Sequence, residues 1–559
     1  MGRSSAHESR DPTMSGELPV KAQCLPFSQI PHTTQLFSDF LYDFPKVQQF
    51  YSRAPHIQEW LKDETAAVRY DPGRRARVSA ILERQNKSWS ASPKTIENIA
   101  RLRAGAAALV TGQQVGLFGG PLFSIFKALS AIKVAVEATA VGVECVPVFW
   151  LATEDHDLDE VNHASIPAAD GSLVKLIAPA QGPSDAPVST VSFAPEIESI
   201  VKTASELLGD GGATNFLRET YRTGETMGRA FARLFTRLFG DWGVILLDAS
   251  DEELHAVAEP IFRAAGERAA ELDDALLERG KALEAAGYHQ QVKVTPSSTL
   301  LFTLRHGSRV PVHRRPNGGS GSNEFVVGDE KLSQAELLQH IAGSPEEFSP
   351  NVLLRPVVQD YLLPTLAYIG GAAEVAYFAQ AAVVYQALLG RITPILPRFS
   401  ATIVESKAQR LLERYHLAFP EVFIGPDRLR ENLAARILPD ELQAAFDSAN
   451  SSVEKSIKTV RESLARLDQS LVEAAENAGS KMQYQLQQLR ARAARAELRR
   501  SETAGRHAEF LSNMLYPQEA LQEREIAGIY FVARYGTELL QNLYETVHTS
   551  CHDHQIITL

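Results

Sequence analysis

The stretch Ala107-Ala108-Leu109-Val110-Thr111-Gly112-Gln113-Gln114-Val115-Gly116-Leu117-Phe118-Gly119-Gly120-Pro121 decides the fold. An apolar run of strand length stops abruptly in a polar, glycine-rich turn, the pattern of a buried parallel strand that presents its carboxyl end to a ligand. A second stretch repeats the design: the apolar run at 145–152 breaks into Thr153-Glu154-Asp155-His156-Asp157-Leu158-Asp159-Glu160. Between the two, Leu122, Ile125, Phe126, Leu129 and Ile132 recur at helical spacing behind Pro121. In a first turn, the donor that proline lacks is not needed. Strand, crossover helix and strand in one sheet make a parallel, right-handed unit. The expected fold is therefore α/β, a Rossmann-like parallel-sheet core with its cleft at the strand ends.

Working outward, residues 25–85 read as a helical lead-in that covers the sheet. Residues 165–215, rich in Ala, Pro, Ser and Gly, read as an irregular insertion with a little strand. The α/β rhythm resumes with a helical pattern at 216–239, a buried strand at 244–248 and a long amphipathic stretch at 252–286. A second insertion at 300–345 holds a glycine- and serine-rich hairpin loop at 317–323. At 441–498 the pattern turns to heptads: Val453, Ile457, Val460, Leu464, Leu467, Leu471, Ala474 and Ala478 alternate steps of four and three. The phase breaks at Ala478-Gly479-Ser480, which favours a helical hairpin turning there over one helix with a stutter. The expected organisation is a flexible tail at 1–20, a catalytic core at 21–435, a coiled-coil dimerisation segment at 436–510, and helices at 511–559 that return to the core.

A length of 559 residues exceeds what one core usually supports, and 44% hydrophobic with 22% charged residues marks a folded chain. The net charge of −12 argues against phosphate-backbone binding, so no nucleic acid is expected as partner. Cys24, Cys145 and Cys551 stand at unrelated spacings, from which neither a disulfide framework nor a CxxC metal site can be built; a reducing cytoplasm fits. The first twenty residues lack the apolar stretch of a secretory signal, and no bilayer-spanning run is expected, hence no membrane partner.

Three groups of residues carry chemistry. Thr111, Gly112, Gln113, Gln114, Gly116 and Gly120, with Lys127 two turns into the next helix, form either a cradle for a phosphate or oxyanion or merely a tight turn. Consecutive glutamine amides also suit a sugar or an amino acid. Glu154, Asp155, His156 and Asp157 head a cluster of five carboxylates and two imidazoles that suits a substrate ammonium, a tuned general base or a divalent cation. The same residues also read as an acidic helix start capped by Asp155 or Asp157. Their spacing is no known ligand pattern, so no metal is assigned. Glu374, Tyr377 and Gln380 recur at helical spacing towards a cleft, and Arg398 is a carboxylate clamp or a surface arginine. Arg490, Arg492, Arg495, Arg499 and Arg500 are a solvated face or a polyphosphate site.

TGQQVGLFGGPLFSIFK at 111–127, FWLATEDHDLDEVNH at 149–163, SPNVLLRPVVQDYLLPTLAYIGGAAEVAYFAQ at 349–380 and LYPQEALQERE at 515–525 together resemble the bacillithiol biosynthesis cysteine-adding enzymes. The resemblance runs from about residue 25 to the carboxyl end. It implies a Rossmann-like core with inserted connecting segments, a carboxyl-terminal coiled coil that pairs two subunits, and ligation of L-cysteine to the glucosamine amine of glucosaminyl-malate. Amide formation needs an activated carboxylate, so ATP or another nucleotide is expected as co-substrate. On this reading the glycine turn and Lys127 meet phosphate or oxyanion, and His156 takes the amine proton. Glu154, Asp155 and Asp157 then orient that imidazole or hold an ammonium. A second anion site is expected near Arg490, Gln522 and Arg524. Two readings of other classes stand beside it. A Rossmann-type sugar-nucleotide transferase would turn over without cysteine, and a coiled-coil scaffold would tolerate alanine at Gln114, His156 and Glu374.

Overall fold

The computed structural model describes residues 21–183, 185–316, 323–436, 440–500 and 502–559. The tail expected at 1–20 and nearly all of the loop expected at 317–323 lie outside the described residues.

Five strands form the central sheet: β1 (Ala107–Gln113), β2 (Cys145–Leu151), β3 (Ile245–Asp248), β4 (Thr365–Gly370) and β5 (Ile395–Pro397). All are parallel, in the order β3-β2-β1-β4-β5. That is a doubly wound order, in which the chain reverses direction across the sheet between β1 and β4 and opens a crevice at their carboxyl ends. Both faces are covered, which is why β1 and β2 read as unbroken apolar runs rather than alternating ones. Helix α1 (Phe123–Ala140) follows β1 and packs on β1 and β2, and α2 (Ala372–Leu389) follows β4. By length and composition α2 could cross a membrane, but Val375 to Ala382 lie buried against the core. Gly112 lies opposite Trp150, where a Cβ would stand 2.8 Å from the Trp150 carbonyl oxygen; only glycine lets the strands approach so closely here.

The β3 edge of the sheet is closed by side-chain amides. Asn86 bonds both backbone groups of Leu246 on edge strand β3, and Gln85 does the same at Asp248. These amides supply the donor and acceptor of a missing strand.

The insertion at 165–215 is more regular than its composition suggests. Hairpin His163–Pro167 and Leu173–Ile177 leads to helices Ile197–Leu208 and Gly212–Thr220. Apolar residues such as Ile197, Val201, Ala204 and Leu217 supply a buried face there. The second insertion is an antiparallel sheet that includes Ser298–Arg305, Ser308–Pro316 and Phe348–Pro350.

The heptads form a hairpin of α3 (Asp440–Leu467) and α4 (Leu471–Arg500), but it turns at 468–470, not at Gly479. Gly479 sits inside α4, where a Cβ would stand 2.9 Å from Ile457 Cγ2 of α3. The phase break is a close helix contact rather than a bend. After helix Glu502–Leu515 the chain returns to the core and ends in a strand the sequence did not announce. His554–Thr558 lies between Lys21–Leu25 and Ala401–Val404, joining the two ends of the described chain in one sheet.

Candidate active site

At the β1/β4 crevice a cavity of about 680 Å³ opens, in the range that holds a metabolite. It has two electrically distinct ends, and consecutive residues at the tip of β1 serve one each. Gln113 Oε1 accepts from Lys127 at 2.8 Å. Gln114 Nε2 donates to Asp155 Oδ2 at 2.8 Å and to Glu160 Oε2 at 2.6 Å.

The acidic end is built from the turn after β2. Glu154, Asp155, His156 and Glu160 line the cavity there. Arg309, from the inserted sheet, donates from Nη1 to His156 Nδ1 at 3.1 Å and stands 3.5 Å from Asp155 Oδ1. It is itself held by Ser349 Oγ and the Pro350 carbonyl and lies over the Phe302 ring. A guanidinium only donates, so His156 Nδ1 accepts and the imidazole proton belongs on Nε2. Behind them, His255 Nε2 stands 2.8 Å from Glu154 Oε1 and 3.0 Å from the Ala249 carbonyl, while Nδ1 faces the Glu346 carbonyl at 3.2 Å. Every neighbour is an acceptor, so His255 is an imidazolium. Burial opposes that charge, but Glu154 together with the Ala249 and Glu346 carbonyls outweighs it and lifts the pKa above 6.5.

The basic end gathers Lys127, Arg355, Arg398 and Arg524. Lys127 Nζ spends its three donors on the Gly112 carbonyl, Gln113 Oε1 and Glu374 Oε2, at 2.7, 2.8 and 2.8 Å. Burial draws its pKa down to about 8 against the pull of Glu374. Burial would raise Glu374, yet Lys127, the Tyr368 hydroxyl and the Gly371 N–H hold it ionised, below its ordinary value. Arg398 is clamped by Glu523 at 2.6 Å and by the Phe399 carbonyl. Arg355 donates to Gln359 and to the Tyr377 hydroxyl. Two buried N–H groups of the lining, Trp150 Nε1 and Arg398 Nε, have no acceptor among the described residues.

The structure therefore brings Gly112, Gln113, Gln114, Lys127, Glu154, Asp155, His156, Glu374, Tyr377, Arg398 and Arg524 around one cavity. Other expected residues lie elsewhere. Gly116 and Gly120 do not line it, and the backbone N–H groups of Gly116, Gly119 and Gly120 are spent on carbonyls of the turn itself. Pro121 precedes α1 rather than opening it and pairs with Ala527, while Leu122 N–H bonds the Ile526 carbonyl. The glycine segment is thus a docking point for the carboxyl-terminal return, not an open cradle. Thr111 is buried and bonds the Ile369 carbonyl, tying β1 to β4. Asp157 caps the short helix Leu158–Val161 through Glu160 N–H. Gln380 holds both backbone groups of cavity-lining Val292.

The residues expected at a second anion site have other partners. Gln522 spends its amide on Ile403 and Met514, Arg524 lines the main cavity, and Arg490 pairs with Asp447 in the hairpin at 3.5 Å. The side chains of Arg495, Arg499 and Arg500 lie outside the described residues. The sequence reading passed over Arg309, Phe302, Arg355 and His255, which sit in ordinary strand or helix patterns. Trp150 was within reach, as a large polar-tipped residue near the end of an apolar strand.

The family described as "Bacillithiol biosynthesis BshC, N-terminal Rossmann-like domain" matches residues 20–399, and "Bacillithiol biosynthesis BshC, C-terminal coiled-coil domain" matches 401–559. A protein of Koribacter versatilis named "Putative cysteine ligase BshC" is 50% identical over 96% of this chain and 99% of its own length. Proteins of the same name from Solibacter usitatus and Salinibacter ruber are 36% and 30% identical, over 96% and 93% of this chain and 99% and 96% of their own. With a doubly wound core, a helical hairpin and matches over nearly its whole length, the chain belongs to the BshC family of bacillithiol biosynthesis.

Proposed function

We propose that the protein joins the carboxyl group of L-cysteine to the glucosamine amine of glucosaminyl-malate. The observation that supports this best is the cavity's division into an acidic and a basic end. An amino sugar bearing a malate has the complementary division. Its ammonium is held by Asp155 and Glu160, and its carboxylates meet Arg398, Arg524 and the free N–H of Trp150.

For the amide to form, the bound ammonium first gives up one proton, the free amine nitrogen attacks the carbonyl carbon of activated cysteine, a second proton leaves the nitrogen, and the activating group departs with one oxygen. His156 can take that proton on Nδ1 once Arg309 releases it; the carboxylates of Asp155 and Glu160 can take it without any rearrangement. Activation calls for a nucleotide co-substrate, and the proposal includes one. Its phosphates do not fit the glycine turn, whose donors are already spent.

The proposal also includes a homodimer. Val460, Leu467, Met482, Tyr484 and Leu489 are exposed on the hairpin, Leu467 to 78%, and a second copy of the hairpin would cover them.

Thiol profiling of cells lacking the chain tests the reaction. The expected result is accumulated glucosaminyl-malate and lost bacillithiol, restored by the intact chain but not by Asp155→Asn. An unchanged thiol pool overturns it.

A further inference from the structure

Away from the cavity, the two ends of the described chain bring sulfur and carboxylate donors to one place. Cys24 lies on strand Lys21–Leu25, and Cys551 and Asp553 lie in the segment that leads into strand His554–Thr558. The antiparallel register pairs Leu25 with His554, which draws these residues together across 527 positions of sequence. Cys24 Sγ and Cys551 Sγ are 3.6 Å apart, both as free thiols. Ligand atoms of Cys24, Cys551 and Asp553 all lie within 4.8 Å of one another, the one such grouping of three among the described residues.

The geometry points to a binding site for a thiophilic divalent cation of the zinc class, held by Cys24 Sγ, Cys551 Sγ and the Asp553 carboxylate. Around a tetrahedral zinc with sulfur at about 2.3 Å, two sulfurs stand about 3.8 Å apart, close to the spacing already present. Two thiolates with one carboxylate select a borderline-soft d¹⁰ ion over calcium or magnesium, which need hard oxygen shells.

A second observation is the support behind the carboxylate. Tyr42 Oη donates to Asp553 Oδ1 at 2.7 Å, and Phe27 N–H donates to Tyr42 Oη at 2.9 Å. This hydrogen-bond relay fixes the Asp553 carboxylate from behind, as outer partners do at metal centres. Cys24 is exposed, so the fourth position is open to water. The consequence is structural. The ion would tie strand Lys21–Leu25 to the segment in which His554 bonds Ser400 and Thr402; Ser400 in turn bonds Glu523, the clamp of Arg398. The inference is independent of the ligase reading.

The test is cobalt(II) and zinc(II) titration of the full chain, kept reduced by a phosphine. The expected result is one cobalt per chain with a thiolate-to-cobalt charge-transfer band, displaced by zinc, and a higher melting temperature with zinc bound. Cys24→Ser and Cys551→Ser should abolish the band, Asp553→Asn should weaken zinc binding about tenfold or more, and Cys145→Ala should change nothing. No thiolate band, or zinc binding indifferent to Cys24→Ser, overturns the site. A wild-type chain isolated two hydrogens lighter, with only one free thiol, overturns it too, since the pair would then be a disulfide couple.

Discussion

Gln114 stands between two strands' worth of chemistry. Its amide nitrogen, at the tip of β1, reaches Asp155 Oδ2 at 2.8 Å in the turn after β2, and the same nitrogen reaches Glu160 Oε2 at 2.6 Å. One neutral group thus holds two carboxylates side by side, where they would otherwise repel each other.

Gln114→Ala removes both bonds at a half-buried residue and leaves the backbone unchanged. The expected outcome is a fall in kcat/KM of roughly 10- to 100-fold, which is about 1.4–2.7 kcal/mol of transition-state stabilisation. The melting temperature should barely move. Steady-state kinetics beside thermal unfolding check both.

Trp150→Phe keeps the packing of a buried aromatic and deletes the N–H that has no acceptor among the described residues. With a substrate carboxylate as its partner, affinity for glucosaminyl-malate drops by about 10- to 100-fold, the value of one hydrogen bond to a charged group. Stability should be unchanged or slightly higher. Calorimetric titration of folded variant and wild type measures the difference.

How much of this was legible in the sequence follows from range. The β1–α1–β2 unit, the acidic turn and Glu374 were readable because each is local: an apolar run, a turn and a helical repeat within about twenty residues. Arg309 and His255 were not, since they gain meaning only when the inserted sheet and the helix Glu252–Glu267 fold over the β2 turn. The glycine turn misled for a related reason. Its glycines serve the approach of Ile526 and Ala527, some four hundred residues onward, and nothing nearby in the chain signals that partner. Gly479 likewise looked like a bend because a close helix contact and a turn both call for the smallest residue.

Lys127 is buried and Glu374, its ion-pair partner, is largely so, and removing one charge strands the other. Lys127→Met should destabilise the chain by about 3–5 kcal/mol, whereas Lys127→Met combined with Glu374→Gln should cost less than the sum of the single changes. Denaturant unfolding of the four proteins completes the cycle; strict additivity would refute the coupling.

The His255–Glu154 pair has a defined pH signature. The folded pKa of His255 lies above its unfolded 6.5, so the pair's stabilisation is fully present below pH 6.5 and is lost as pH rises through the folded value. The stability gap between wild type and His255→Gln should therefore be widest at mildly acidic pH and shrink at alkaline pH. A gap that widens with rising pH would contradict the imidazolium assignment.

Charges placed on the exposed hairpin stripe should separate a dimer without touching the core. Met482→Glu with Leu489→Glu is expected to shift sedimentation from two chains to one, with the core's melting temperature retained. Unchanged sedimentation as a dimer would place the subunit contact elsewhere.

The most direct measurement is product formation by the purified chain. Incubated with L-cysteine, glucosaminyl-malate and a nucleoside triphosphate, the wild type is predicted to release a cysteine-dependent amide detectable by mass spectrometry, and Asp155→Asn to release little or none. A folded wild type that makes no amide with any nucleoside triphosphate, or an Asp155→Asn variant as active as wild type, would contradict the account.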